Sequence, residues 1–145
     1  MFTMRILTAS IMLIICSVED IRTRQINMLV VYVAGFVGII LNLCIKSYTG
    51  FIGGIIPGTV ILIFSKKCKG IGEGDAYIFM VLGLINGIED ILITLYLSSI
   101  FSSIYALCLR VLKKADYKSG FAFVPFITLG YFLCVVQKIY MKMVL

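Results

Sequence analysis

Histidine is absent from the 145-residue chain. Its absence excludes a catalytic imidazole and a histidine-ligated metal site, and with them the Ser-His-Asp and Cys-His forms of nucleophilic catalysis. The five cysteines form no C-x-x-C pair, which argues against a disulfide framework or a zinc site. Four of them lie inside apolar segments, where a free thiol behaves as a small apolar group. Cys68 lies in a basic link and is the only cysteine expected to react.

Charged residues are also scarce. They make up 14% of the chain, whereas 61% of its residues are hydrophobic. A soluble fold of this size leaves too much of its area exposed to hide so much apolar surface. The composition therefore predicts one domain, residues 1–145, with a lipid bilayer as its surroundings.

Six apolar segments follow one another along the chain. A membrane-spanning helix needs about 20 apolar residues, and the third and fourth segments are shorter than that. We predict an all-α polytopic membrane protein with six transmembrane helices, although four spans with a re-entrant pair would also fit. The first segment is interpreted as a retained helix, because no small-residue signal-peptide cleavage site follows it. The segments are Thr3–Val18, Met28–Ile45, Phe51–Phe64, Ala76–Ile88, Ile91–Leu109 and Phe121–Val136.

The formal charge of +6 is concentrated in the links between these segments. This placement is typical of topology signals, so no nucleic-acid partner is predicted. The first, third and fifth links carry nine Lys and Arg residues, against four on the other side, where Glu89 and Asp90 also lie. The positive-inside rule then places the three basic links in the cytoplasm and both termini outside.

Two aspartates fall at the same predicted boundary. Asp20 ends the first segment, which runs inward, and Asp75 precedes the fourth segment, which runs outward. Both carboxylates should therefore lie at the cytoplasmic face. Acidic residues at membrane depth are costly and usually mark function, although Asp20 could instead pair with Arg22 or Arg24 at a helix end.

A close pair of carboxyl groups has a defined chemistry. Both cannot ionise at low cost, so the pair is predicted to share one proton near neutral pH. One member then acts as general base on water while the other protonates the carbonyl oxygen of a scissile peptide, with no metal or cofactor required. The helix dipole favours an ionised Asp75 at a helix N-terminus, so Asp20 is expected to hold the proton more often.

Three motifs carry a family resemblance. They are Gly72-x-Gly74-Asp75, the stretch from Asp20 to Ile26-Asn27, and Phe123-Val-Pro125-Phe126. Together, in order over nearly the whole chain, they resemble the type IV prepilin peptidases, which are GxGD-type aspartic proteases of bacterial membranes. The resemblance implies that Asp20 and Asp75 are catalytic. It further implies a motif or positioning role for six residues: Gly72, Gly74, Ile26, Asn27, Pro125 and Phe126. It also implies the substrate: the short, basic leader of a pilin-like precursor, cut at the cytoplasmic face of the plasma membrane.

The chain departs from that family pattern at two positions. Asn27 follows Ile26 directly, where many relatives have Pro-Asn, and Tyr77 stands where many have Lys. These departures concern substrate detail and leave both carboxylates in place. Nothing corresponds to the N-terminal cysteine region of the larger, methylating relatives. The chain is therefore similar to the short, peptidase-only type found with Tad/Flp pilus systems, and no methyltransferase activity is expected.

Three further residues have two interpretations each. Glu19 and Glu73 could attract the basic residues of a leader, or they could simply be solvated acids. Pro125 could shape a substrate groove, or it could only start a helix. A close helix–helix approach is predicted at Gly54-x-x-x-Gly58.

Alternative functions remain open at this stage. A transporter subunit or a secretion-system scaffold would explain the hydropathy equally well, and a transporter would place polar groups near the middle of the membrane. Asn42 and Asn86 lie there, but we expect them to form interhelical hydrogen bonds. A presenilin-type protease shares the GxGD motif, although the short chain and the Pro125-Phe126 context argue against it. The sequence leaves open the precursor that is cut and the oligomeric state.

Overall fold

A computed structural model describes residues 2–45, 48–67, 72–112 and 122–144 of the chain. Within these ranges the protein is helical and has no strand, as predicted. Each helix contains most of one predicted segment. The six helices are α1 (Phe2–Thr23), α2 (Met28–Ile45), α3 (Tyr48–Lys67), α4 (Glu73–Asn86), α5 (Ile88–Val111) and α6 (Val124–Val144).

Two helices extend beyond the apolar segments from which they were predicted. The first helix continues past Val18 to Thr23, which places Asp20 inside its last turn. Asp90 was counted as a link residue, but it lies in the first turn of α5 and is only 8% exposed. Asp90 can be buried there because it forms an ion pair: the Lys138 ammonium lies 2.5 Å from its carboxylate and compensates the loss of solvation.

The short helix α4 lies at the centre of the bundle and contacts α1, α2, α3 and α5. Ile78, Leu82 and Ile85 are at most 1% exposed, and they pack with buried side chains of α1, α2 and α6. A helix that is apolar on most of its sides is favoured in such an interior position. The first turn of α4, which carries Asp75, is therefore held by its neighbours.

Glycines let α3 and α4 approach each other closely. A Cβ atom at Gly54 would lie 2.8 Å from both the Leu84 nitrogen and the Met80 oxygen, and one at Gly58 would lie 2.6 Å from the Met80 Cβ. The predicted close approach at Gly54-x-x-x-Gly58 is confirmed, and its partner is α4. At the end of α4, the single residue Gly87 connects to α5 with a φ of 97°, which glycine adopts without steric cost.

Contacts between helix ends define two ends of the bundle. The C-terminus of α1 and the N-termini of α2, α4 and α6 meet at one end, which we name the aspartate end. At the far end, Arg5 donates to the Asn42 side chain at 3.0 Å, and Asn42 donates to the Leu84 carbonyl at 2.5 Å. The interhelical role predicted for Asn42 is confirmed. Asn86 donates to the Leu82 carbonyl of its own helix at 3.4 Å, and its side chain also interacts with Tyr131 of α6.

Two of the helices among the described residues, α5 and α6, are long and apolar enough to cross a membrane. A third apolar stretch, Met28–Cys44, is shorter. Large apolar side chains are widely exposed, for example Phe36, which is 66% exposed, and Leu107, which is 62% exposed. These features are those of a membrane protein. Cys68, the cysteine expected to react, lies outside the described residues.

We predict that Gly54→Ala destabilises the protein while Gly35→Ala does not. The new methyl group at Gly54 meets α4 backbone that cannot move aside, which should cost about 1–3 kcal/mol. At Gly35 the Cβ meets only the Val81 side chain, at 3.3 Å, and the stability should stay within about 1 kcal/mol of wild type. Reversible unfolding in mixed micelles measures the free energy of unfolding of both variants. Equal losses of stability in the two would contradict the close packing of α3 on α4.

Candidate active site

Asp20 lies in the last turn of α1 and is 8% exposed. Its Oδ2 accepts a hydrogen bond from the backbone N–H of Val124, the first residue of α6, at 3.0 Å. The N-terminus of a helix carries free N–H groups and a partial positive charge, and both stabilise a carboxylate. Among the described residues Asp20 forms no ion pair with Arg22 or Arg24, which are exposed. The end of α6 therefore orients Asp20 and compensates its charge.

Pro125 follows Val124 in the first turn of α6. Proline has no N–H to satisfy and is well tolerated at this position. Its helix-starting role agrees with the geometry, and both Pro125 and Phe126 are half-buried. The Phe126 ring packs on that of Tyr105 in α5, with 5.2 Å between the ring centroids. Phe126 thus helps to hold α6 against α5 near the aspartate end.

Asp75 is the third residue of α4 and is half-buried. Gly72 caps this helix with extended backbone, and its carbonyl accepts the Asp75 N–H at 3.2 Å. A Cβ atom at Gly72 would lie 3.1 Å from Oδ2 of Asp75. The absence of a side chain at Gly72 therefore leaves room for the Asp75 carboxylate.

Gly74 serves a different neighbour. A Cβ atom there would lie 2.6 Å from the Cδ1 of Ile26, so the end of the Ile26 side chain would have to move away. Ile26 lies in the connection between α1 and α2 and packs against the buried core. Gly74 therefore lets the connection that follows Asp20 rest directly on the turn that carries Asp75. The two glycines of the motif thus leave room for different side chains, Gly72 for that of Asp75 and Gly74 for that of Ile26.

The same connection is fixed by polar contacts. Asn27 caps α2, because its Oδ1 accepts the N–H of Leu29 at 3.1 Å. The N–H of Asn27 itself donates to Oε2 of Glu19 at 3.1 Å. Glu73, in contrast, is exposed in the first turn of α4. The two acids that the sequence treated alike are thus in different environments.

The electrostatics of the site link the two aspartates. Asp75 lies in the first turn of α4, directly before the apolar segment that begins at Ala76. Burial, followed by the negative charge of Asp20, raises the pKa of Asp75 from its ordinary value of 3.8 to about 7, and a backbone hydrogen bond from Gly72 opposes the rise. The helix dipole predicted the proton on Asp20, but burial outweighs that dipole at Asp75. The raised pKa therefore favours a protonated Asp75 near neutral pH.

The structure brings together Asp20, Asp75, Gly72, Gly74, Ile26 and Asn27 at the aspartate end. The Val124 N–H is the group that sequence reasoning missed, because a backbone donor leaves no mark in its own side chain. The signal that could have found it is Pro125, since a proline in a first helical turn indicates free N–H groups beside it. Within the described ranges, no group of three metal-ligating side chains could hold a metal ion.

Comparison with known proteins gives one informative match. The model of the type IV leader peptidase family matches residues 7–107, a stretch that includes both aspartates and the two glycines beside Asp75. No curated protein and no solved structure matches the chain.

We predict that Asp75→Asn stabilises the protein increasingly as the pH rises from 5 to 8. Because the folded pKa of Asp75 lies above its unfolded value, its stabilising contribution is complete below about pH 4 and is lost as the pH passes about 7. Asparagine does not ionise and escapes this loss. Thermal unfolding of the wild type and of Asp75→Asn across this pH range measures the gap in stability between them. The exposed Glu73→Gln variant is the control and should show no widening gap, whereas a gap for Asp75→Asn that is independent of pH would contradict the raised pKa.

Proposed function

The chain belongs to the type IV leader peptidase family, and from this premise we propose that it is a membrane aspartic endopeptidase with Asp20 and Asp75 as its catalytic pair. The family match supports a leader peptidase in general terms. The observation that carries the aspartic mechanism is that both carboxyl groups lie at the aspartate end, where Asp20 accepts the first N–H of α6 and where burial, followed by the charge of Asp20, raises the pKa of Asp75 to about 7.

The chemistry follows from one proton shared by the pair. Asp20, oriented by the hydrogen bond from the Val124 N–H, takes a proton from a water molecule whose oxygen attacks the scissile carbonyl carbon. Asp75 gives its proton to the carbonyl oxygen, and a gem-diol forms. Transfer of a proton from the pair to the amide nitrogen then breaks the C–N bond, and the collapsing gem-diol returns a proton to the pair. The cycle ends with the pair holding one proton, as at the start.

We place the aspartate end at the cytoplasmic face of the bacterial plasma membrane. The basic first, third and fifth links follow α1, α3 and α5, so the positive-inside rule assigns their end of the bundle to the cytoplasm. In this arrangement all six helices cross the bilayer. α4 has 14 residues, which span only about 21 Å, and it can cross because the surrounding helices bury it.

The proposed substrate is the N-terminal leader of a pilin-like precursor. Such a leader is short and basic and precedes an apolar helix, so its cleavage bond would lie at the depth of the aspartate end. The exposed carboxylate of Glu73, two positions before Asp75, is suited to attract its basic residues. Glu73→Gln should then raise KM for a basic leader and leave KM for a neutralised leader unchanged, and equal KM values for the basic leader would remove Glu73 from this role.

We predict that Asp20→Asn and Asp75→Asn each abolish leader removal. Each substitution preserves side-chain shape but removes one half of the proton exchange, which should lower the rate by about 10²–10⁴-fold. Co-expression with a pilin-like precursor from the same genome, followed by mass measurement of the precursor, detects the cut.

Asp90→Asn is the matched control for this experiment. Asp90 is as buried as Asp20, at 8% exposure each, but it lies at the far end of the bundle. This variant should still process the precursor. Continued cleavage by both Asp20→Asn and Asp75→Asn would contradict an aspartic mechanism, and equal loss in the Asp90→Asn variant would assign the losses to folding.

A further inference from the structure

We propose that Glu19 is a positioning residue that fixes the turn carrying Asp75 relative to Asp20, an inference that rests on the proposed function. Glu19 immediately precedes Asp20 in the last turn of α1, and its Oε2 accepts the N–H of Asn27 at 3.1 Å. The residue thus connects the helix of one aspartate to the segment that rests on the turn of the other.

The first step of this connection is the start of α2. Asn27 caps α2 through its own side chain and through its carbonyl, which accept the N–H groups of Leu29 and Val30, both at 3.1 Å. The N–H of the capping residue still needs an acceptor, and Glu19 supplies it from the preceding helix. In a capping box a glutamate of the same helix plays this part. Without Glu19 the α1–α2 connection loses this side-chain link to α1.

The second step is the contact between Ile26 and Gly74. Ile26 directly precedes Asn27, so its place on α4 depends on where the Asn27 backbone is held. Its Cδ1 would lie 2.6 Å from a Cβ at Gly74, and Gly74 directly precedes Asp75. The route alternates contacts with steps of one residue along the chain, and it runs from Glu19 through Asn27, Ile26 and Gly74 to Asp75.

This environment also separates Glu19 from a leader-binding role. Its carboxylate is half-buried, accepts a backbone N–H and faces the N-terminus of α2, where the helix dipole favours a negative charge. Glu73 has the exposed position that a recognition group requires. The two acids therefore divide the functions of positioning and recognition.

The test compares Glu19→Gln with Glu19→Ala in leader removal. Glutamine keeps an acceptor oxygen for the Asn27 N–H, so its kcat should stay near wild type. Alanine removes the acceptor, and kcat should fall about tenfold with KM little changed, because small displacements of reacting groups are costly. The control is Gln25→Ala, an exposed residue of the same connection, which should behave as wild type. Equal losses in Glu19→Gln and Glu19→Ala, with a raised KM, would show that the charge of Glu19 binds the leader and overturn the proposal.

A double-mutant cycle tests the route itself. If Glu19 acts through Ile26, then Glu19→Ala should add little to the loss of kcat already caused by Ile26→Ala. Fully additive losses would show that the two residues act independently, which contradicts the route.

Amide hydrogen exchange gives a readout that does not depend on activity. Glu19→Ala should speed exchange at Asn27–Val30 and also in the first turn of α4, whereas Glu19→Gln should change neither. Unchanged exchange around Asp75 would overturn the proposal even if the protein proved not to cut leaders. Failure of the proposed function is a separate result, because it would appear as cleavage that persists in Asp20→Asn and Asp75→Asn.

Discussion

α4 is buried among four other helices, and the rest of the structure is arranged around that burial. In the proposed membrane arrangement, a helix of 14 residues is too short to span the bilayer alone, so its ends are enclosed by longer neighbours. Glycines on α3 allow this enclosure, because Gly54 and Gly58 leave space for the α4 backbone. The same burial desolvates the first turn of α4, which is the main reason that the pKa of Asp75 rises. Packing and chemistry in this protein thus have a common cause.

The two aspartates lie at the same end of the bundle but in different electrostatic surroundings. Asp20 is the more buried of the two, yet its charge is stabilised by a backbone N–H at the positive end of α6. At Asp75 burial, followed by the negative charge of Asp20, raises the pKa and makes ionisation costly. In the proposed mechanism this asymmetry makes Asp20 the base and Asp75 the acid.

Much of this arrangement could be predicted from the sequence, and the exceptions have physical reasons. Apolar segments bounded by charges and glycines predicted six helices, and helix direction brought Asp20 and Asp75 to one end. The location of the proton could not be predicted, since burial depends on how α4 packs and the dipole argument considers one helix alone. The Val124 N–H was missed because side chains carry no record of a backbone donor. Glu19 and Glu73 looked equivalent until the path of the α1–α2 connection placed the Asn27 N–H against one of them.

The coupling of the two carboxyl groups is the central claim, and a carboxyl titration tests it most directly. Aspartate labelled with ¹³C at the carboxyl carbon can be followed by NMR against pH in the wild type and in Asp20→Asn, with Asp75→Asn used to assign the signal. The account predicts that Asp75 titrates near 7 in the wild type and at a clearly lower pH in Asp20→Asn, because a neighbouring negative charge has been removed. A wild-type Asp75 that titrates near its ordinary value of 3.8, or one whose titration is unchanged by Asp20→Asn, would contradict it.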